Sequence, residues 1–457
     1  MVDVGAGEVA AAGIGELARR AARLDIALHT VRVSLAGELI ASAGCPPFGP
    51  DLPQRMYSVA KTLTGIAVGM LAAEGKVGLD DAVVGHFPEL APFHPYLEAT
   101  TVRHLLAMRG PHQATTYERT AGRWLESWFR AAPAHPPGTL FTYDTSGSYV
   151  LSALVERVSG GSITGYLRPR LLDPLGVSPE LRVLPGPEGI EHGGSGLICT
   201  PRDLLRIAEG LMSDDVAGVP ADYWRAATSA QADTTQLTWG GTLRQGYGYQ
   251  LWLPGRGGWL MFGMGGQIVY GDPARRLAVV VTADSQACTG GDQRLLDDVM
   301  DLLIEPLGDA VPPVPAAAGT GLASALPAPV VAGQGPAPAP PVVDLAWPAP
   351  AHDPAAPTHL TEQLAAAAAA VLTPLGWRPD LRFDGPSEAV VAGRPAVVTA
   401  GRPDPDTLDL RCDLHGDELT PWRVRLSRTA HGAIAVQSQA YGEGADPAWT
   451  FRTTHHP

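Results

Sequence analysis

Lysine is nearly absent from this chain. Of its 33 basic residues only Lys61 and Lys76 are lysines, and arginine supplies the rest. Arginine stays protonated in any protein setting, which excludes almost every basic side chain here as a proton acceptor; a desolvated lysine, by contrast, can lose its proton and act as a base. Positive charge is also scarce overall. A net charge of −14 with no basic stripe excludes nucleic acid and anionic membrane surfaces as partners. The four cysteines, Cys45, Cys199, Cys288 and Cys412, are widely scattered, with no CxxC and no histidine at ligand spacing. They read as free thiols in a reducing compartment, and neither a metal site nor a cofactor is expected. No apolar run approaches the length of a membrane span. The first residues, Met1 to Gly7, lack the features of a secretory signal, so a soluble cytoplasmic protein is expected.

What is present is organised around Met56-Tyr57-Ser58-Val59-Ala60-Lys61 and the run that follows it. From Val59 to Ala73 the residues are almost all apolar or small, predicting a helix buried on every side. Ser58 stands at its mouth, and Lys61, three residues on, falls on the same face one turn along. Serine is a good N-cap, and a capped structural helix is one way to read the pair. A capping box, however, asks for Glu or Gln where Lys61 stands, and a cation there opposes the positive end of the helix dipole. Both the dipole and the apolar surroundings push this lysine toward the neutral amine. A catalytic Ser/Lys couple is the other way to read it.

A length of 457 residues and a hydrophobic content of 45% predict more than one domain around sizeable cores. Val9 to Leu24 reads as a helix, and Ala27 to Leu35 and Glu38 to Ala43 as a hairpin turning at Ala36-Gly37. After the Ser58 helix, Thr100 to Met108 is a short helix leading to the loop that holds His112, a group that either faces a cleft or is simply solvated. Tyr143 lies in a loop before the helix Tyr149 to Val158. Glycines thicken at Gly193-Gly194-Ser195-Gly196, and Thr200-Pro201-Arg202-Asp203 opens another helix. Tyr249 to Leu253, Trp259 to Phe262, Gln267 to Tyr270 and Leu277 to Thr282 read as an antiparallel meander, and Asp292 to Ile304 as a closing helix.

This order predicts an α+β fold for residues 1–308: an antiparallel sheet built from both ends, flanked by terminal helices, with a helical lobe inserted and a cleft between the two. Residues 309–357, mostly Ala, Pro, Gly and Val without Lys or Arg, read as an extended linker. Residues 358–457 read as an alanine-rich helix and a small antiparallel β domain, either sheet or partial barrel. That domain carries no cluster of nucleophile, base and donor, so it reads as structural or substrate-gating. A chain ending near Ala310 is accordingly expected to keep every catalytic candidate.

Three elements then line up: Ser58-Val59-Ala60-Lys61, Tyr143-Asp144-Thr145, and Gly263-Met264-Gly265-Gly266-Gln267. In this order and spacing, with Pro137-Gly138-Thr139 and Gly246-Tyr247-Gly248-Tyr249 around them, residues 25 to 305 resemble the serine β-lactamase and penicillin-binding-protein superfamily, closest to class C and esterase-like serine hydrolases. The resemblance implies a Ser58 nucleophile, Lys61 as base, Tyr143 in the proton path, and an oxyanion hole from the backbone N–H groups of Ser58 and Gln267. It also implies Thr145, Met264, Gly265, Gly266 and His112 as substrate-binding candidates, and a small-molecule or peptide acyl substrate. Two positions depart from the family pattern. Thr145 stands where an asparagine is usual, and Met264 where a lysine or histidine is usual, which removes the cation that holds a substrate carboxylate. A serine hydrolase, a transacylase or peptide-releasing thioesterase on the same fold, and a catalytically silent binding protein are the three classes left open.

Overall fold

The computed structural model describes residues 4–117, 122–212, 218–314, 339–356, 360–377 and 381–456. Helix α1 (Val4–Arg23) buries Ala6, Ala10, Ile14, Leu17 and Ala21, one stripe at helical spacing, and opens onto the hairpin β1 (Ala27–Leu35) and β2 (Glu38–Gly44). The hairpin turn takes positive φ at both Ala36 and Gly37. The chain then makes β3 (Gln54–Tyr57) and α2 (Ala60–Ala73), buried from Ala60 to Leu71 as its composition predicts.

A helical lobe surrounds α2: α3 (Pro95–Glu98), α4 (Val102–Leu106), α5 (Trp124–Arg130), α6 (Thr145–Ser159) and α7 (Ile163–Leu167). The short strands β4 (Arg182–Val183) and β5 (Leu197–Cys199) join β3 in a second sheet. Helices α8 (Pro201–Leu211), with a Thr200/Asp203 capping box, and α9 (Ala221–Ala227) return the chain to the main sheet. Strands β6 (Trp259–Gly263), β7 (Gln267–Asp272) and β8 (Leu277–Asp284) follow, then α10 (Gly291–Val299), which runs through a π turn into α11 (Glu305–Ala310). Strand β1 pairs with β8, so both ends of the unit meet in one sheet; β8 sends Val279 and Val281 to the core under α1 and Ala278 and Val280 to the core of the lobe.

Two expectations need correction. Tyr249 to Leu253 is not a continuous strand but makes isolated bridges, because Gln250 takes a left-handed φ of 58°. Its buried side chain donates to the Leu105 and Leu106 carbonyls and accepts from Ser148, tying α4 to α6. The proline-rich segment is not wholly a linker. Residues 315–338 and 357 of it lie outside the described residues, but Val342–Asp344 forms β9 and pairs in parallel with β2, whose edge is otherwise open. Trp347 then donates to the Pro46 carbonyl and packs by Phe48 and His29.

The C-terminal domain is a helix, α12 (Glu362–Leu372), on a six-stranded meander: β10 (Ser387–Val391), β11 (Arg394–Gly401), β12 (Thr407–Leu414), β13 (Thr420–Arg428), β14 (Ile434–Ala440) and β15 (Phe451–His455). Leu364, Ala367, Ala368 and Leu372 pack on one sheet face. The other face meets the N-terminal unit through charge. Arg411 and Arg423 stand directly opposite each other on β12 and β13, and both pair with Asp25 and with the buried Asp413. Burial pushes the Asp413 carboxyl up, yet Arg411 and Arg423 outweigh it and hold it below its ordinary value. Among the described residues no helix is long and apolar enough to cross a membrane.

Two like charges held across a strand pair depend on their counterions. Asp413→Ala is expected to destabilise the protein by about 3 kcal/mol, since it leaves the buried Arg411 with only the half-exposed Asp25. Urea denaturation checks this, and an unchanged midpoint would show that the cluster is not holding the sheet.

Candidate active site

Strand β3 ends in a bulge, and Tyr57 takes φ 46°, a left-handed value that a bulky side chain rarely adopts. That kink delivers Ser58 to the mouth of α2. The helix begins after it: the N-cap position is Val59, without a side-chain cap, so the Ser58 hydroxyl is not spent on the helix. It lies 3.0 Å from Lys61 Nζ and is hydrogen-bonded to the Tyr143 phenol.

Lys61 is 1% exposed, and burial lowers its pKa to about 7, with the nearby Asp144 charge pulling the other way. Its nitrogen also reaches Gly194 O at 2.6 Å and Thr145 Oγ1 at 3.2 Å. A neutral primary amine has two N–H donors and one lone pair. As an ammonium Lys61 donates to Gly194 O, Thr145 Oγ1 and Ser58 Oγ; in the neutral form, with Gly194 and Thr145 keeping the two N–H groups, the lone pair is left for the Ser58 hydroxyl. Gly194 reaches the amine because a Cβ there would meet Thr145 Cγ2 at 2.7 Å; at Gly193 it would meet Thr64 Oγ1 at 2.1 Å. The glycine cluster is thus a close approach of a loop to α2 and α6, and it supplies a contact that the sequence signalled only as a run of glycines.

Tyr143 lies over Lys61, with Nζ 4.8 Å from the ring centre, and stacks on Trp252 at 5.5 Å. Burial pushes its phenol above the ordinary value, while the Ser58 hydrogen bond acts in the opposite sense. These groups open into a cavity of about 590 Å³, lined among others by Arg55, Thr145, Trp239, Trp252, Met264 and Asp292, and by Glu418 and Glu443 on turns of the C-terminal domain. Among the described lining residues Arg55 is the one permanent cation, and Glu418 pairs with it at 2.8 Å.

The late-strand motif is placed beside the serine. A Cβ on Gly263 would lie 2.3 Å from Met56 O, so β6 abuts β3 two residues before Ser58. Met264 lines the cavity, half-buried. Gly265 and Gly266, expected as substrate contacts, lie in the turn between β6 and β7, with positive φ at both and Leu295 packed behind Gly266. Gln267 begins β7; the residue is fully buried, pairs with Gly263 across the hairpin, and its side chain donates to Ala283 O. His112 is corrected as well. It is 3% exposed behind the cavity wall, bonded to Trp128 O and beside the buried Asp144, the N-cap of α6. Arg55, Trp239, Trp252 and Glu418 escaped the sequence because no local pattern marks them.

The family model described as Beta-lactamase matches residues 21–300. The 6-aminohexanoate-dimer hydrolase of Paenarthrobacter ureafaciens is 26% identical over 282 residues, 54% of this chain and 70% of that protein. Protein flp of Staphylococcus aureus is 30% identical over 135 residues, and the chain spans only 27% of its length. Two solved structures share the fold. EstCE1, a hydrolase with promiscuous acyltransferase activity, aligns at TM-score 0.53 and 18% identity over 65% of this chain and 99% of its own. SurE, solved with D-Leu, aligns at TM-score 0.54 and 21% identity over 99% of this chain and 100% of its own, the C-terminal domain included.

The buried amine sets a pH dependence. Labelling of Ser58 by a fluorophosphonate should quicken as pH rises through about 7, where Lys61 becomes neutral, and level off above it. Lys61→Arg should lose this limb and react roughly 10²- to 10⁴-fold more slowly, as should Lys61→Ala. Rates near wild type in the arginine variant would place the base elsewhere.

Proposed function

The chain belongs to the Beta-lactamase family, and on that premise we propose that it is a serine hydrolase working through an acyl-enzyme on Ser58. The observation that carries this is the Ser58 Oγ to Lys61 Nζ distance of 3.0 Å, with that lysine stripped of water. Neutral Lys61 takes the serine proton as Oγ attacks an ester or amide carbonyl. The Tyr143 phenol, bonded to Ser58, relays a proton to the leaving group. The Ser58 and Gln267 backbone N–H groups stabilise the oxyanion. Water then attacks the acyl-enzyme, releases the acid and returns the serine proton.

A second reading, transfer of the acyl group to a nucleophile other than water, is favoured by the cavity. Its 590 Å³ is ample for an acyl chain and an organic acceptor together, and it is walled partly by turns of the C-terminal domain. EstCE1, described as having acyltransferase activity, shares the catalytic fold, and SurE shares both domains. The class C-like and esterase-like assignment belongs to this proposal, as does a substrate that is neutral near Met264.

Mass spectrometry after incubation with activated esters, a fluorophosphonate and penicillin is expected to find one adduct, on Ser58, absent in Ser58→Ala. A label that persists in the alanine variant would remove the nucleophile assigned here. Penicillin should acylate poorly beside a neutral ester of similar reactivity, because a thioether gives no charge to its carboxylate. Met264→Lys should improve carboxylate-bearing substrates about ten- to a hundredfold more than neutral ones. Efficient penicillin turnover by the unmodified protein would show that the site draws its cation from another residue.

A further inference from the structure

The turn Asp417–Leu419 between β12 and β13 lies more than 350 residues from Ser58 in sequence, yet it contacts two residues that line the site, Arg55 and Tyr57. The Leu419 N–H donates to the Tyr57 phenol at 3.1 Å. Glu418 accepts from Arg55 at 2.8 Å, and the Asp417 carbonyl accepts from the same guanidinium at 3.4 Å. The Leu419 carbonyl accepts from Gln286, just beyond β8. Arg55 and Tyr57 flank the bulge that ends in Ser58, and the guanidinium lies 4.8 Å over the tyrosine ring. Arg55 Nε donates in turn to Ser195 O, one residue after the carbonyl that holds Lys61.

We propose that this turn is a working part of the acylation site, with Glu418, Arg55 and Tyr57 acting as positioning residues for Ser58 and Lys61; the inference rests on the acyl-enzyme reading above and extends it. The physical need lies at Tyr57. A tyrosine held at φ 46° relaxes unless its surroundings fix it, and relaxation would swing the Ser58 Oγ and N–H together. The phenol is anchored at its far end by a backbone amide of another domain, and its ring is covered by a guanidinium that the same turn neutralises. Through Ser195 that guanidinium also steadies the glycine loop, and with it the Gly194 carbonyl on Lys61. The C-terminal domain thereby acts on nucleophile and base alike, in contrast to the expectation that residues up to about Ala310 suffice.

The test uses the full-length chain. Tyr57→Phe keeps the ring and removes the phenol oxygen; Glu418→Gln keeps the shape and removes the charge; Arg182→Ala, which breaks only an exposed bridge to Asp417, is the control. With a neutral activated ester, each of the first two should lower the saturating acylation rate about five- to tenfold while half-saturation moves less than about twofold. Together they should fall short of the product of the single effects, since both act through one turn. In Glu418→Gln the pH limb should move upward, because a loosened glycine loop admits water to Lys61. Arg182→Ala should match wild type. Wild-type saturating rates and an unmoved limb in Tyr57→Phe and Glu418→Gln, even with lowered melting temperatures, would overturn the inference alone. Absence of a Ser58 adduct in the unmodified protein would overturn the acyl-enzyme itself, and the inference with it.

Discussion

A primary amine buried without a carboxylate partner cannot remain an ordinary ammonium ion, and this site is built around that constraint. Moving the Lys61 pKa from 10.5 to about 7 corresponds to a difference on the order of 5 kcal/mol between its two protonation states. The fold sustains such a group by surrounding the amine with one carbonyl and two hydroxyls, those of Thr145 and Ser58. Asp144 influences the amine through space, but its own oxygens are taken by Ser146 and the Trp128 indole. Had that carboxylate paired directly with Lys61, the ammonium would be stabilised and the neutral amine lost.

Several features that look unrelated serve this amine. The all-round burial of α2 strips water from it. The glycines at 193 and 194 let a loop press close enough to hand it a carbonyl. The kink at Tyr57 starts the helix one residue past the serine, so the hydroxyl faces the amine instead of capping the backbone. Left-handed backbone at a bulky residue costs about 1 to 3 kcal/mol, and it persists only where the surroundings over-determine it.

Those surroundings extend beyond the matched family region. The C-terminal sheet is fastened to the N-terminal unit by the Asp25, Arg411, Asp413 and Arg423 cluster, and its domain reaches the site through the Asp417–Leu419 turn and Glu443. Near that cluster the buried Asp284 has its pKa raised to about 7, by burial first and by the Asp413 charge second. The junction between the domains is therefore polar and charged, unlike the loose tether that a proline-rich segment suggests. Strand β9 and Trp347, both drawn from that segment, bind it to the main sheet.

The sequence by itself determined whatever is carried by short-range pattern. The scarcity of lysine and the apolar run after Ser58 marked the Ser58 and Lys61 pair. The alternation of β-branched residues marked most strands, and Thr200 to Asp203 marked a helix start, because burial period and capping act over a few residues. Contacts made across long stretches of chain left no such trace. Gln250 sits in a segment with strand composition, yet three side-chain partners and a left-handed φ override it. His112 followed a suggestive loop and proved to be buried behind Asp144 and Trp128. Arg55 and Glu418, 363 residues apart, meet only because two domains dock. Which polar groups surround Lys61, and which domain holds Tyr57 in its strained conformation, were decided by tertiary structure, since burial and hydrogen-bond geometry are properties of residues distant in sequence that packing alone brings together.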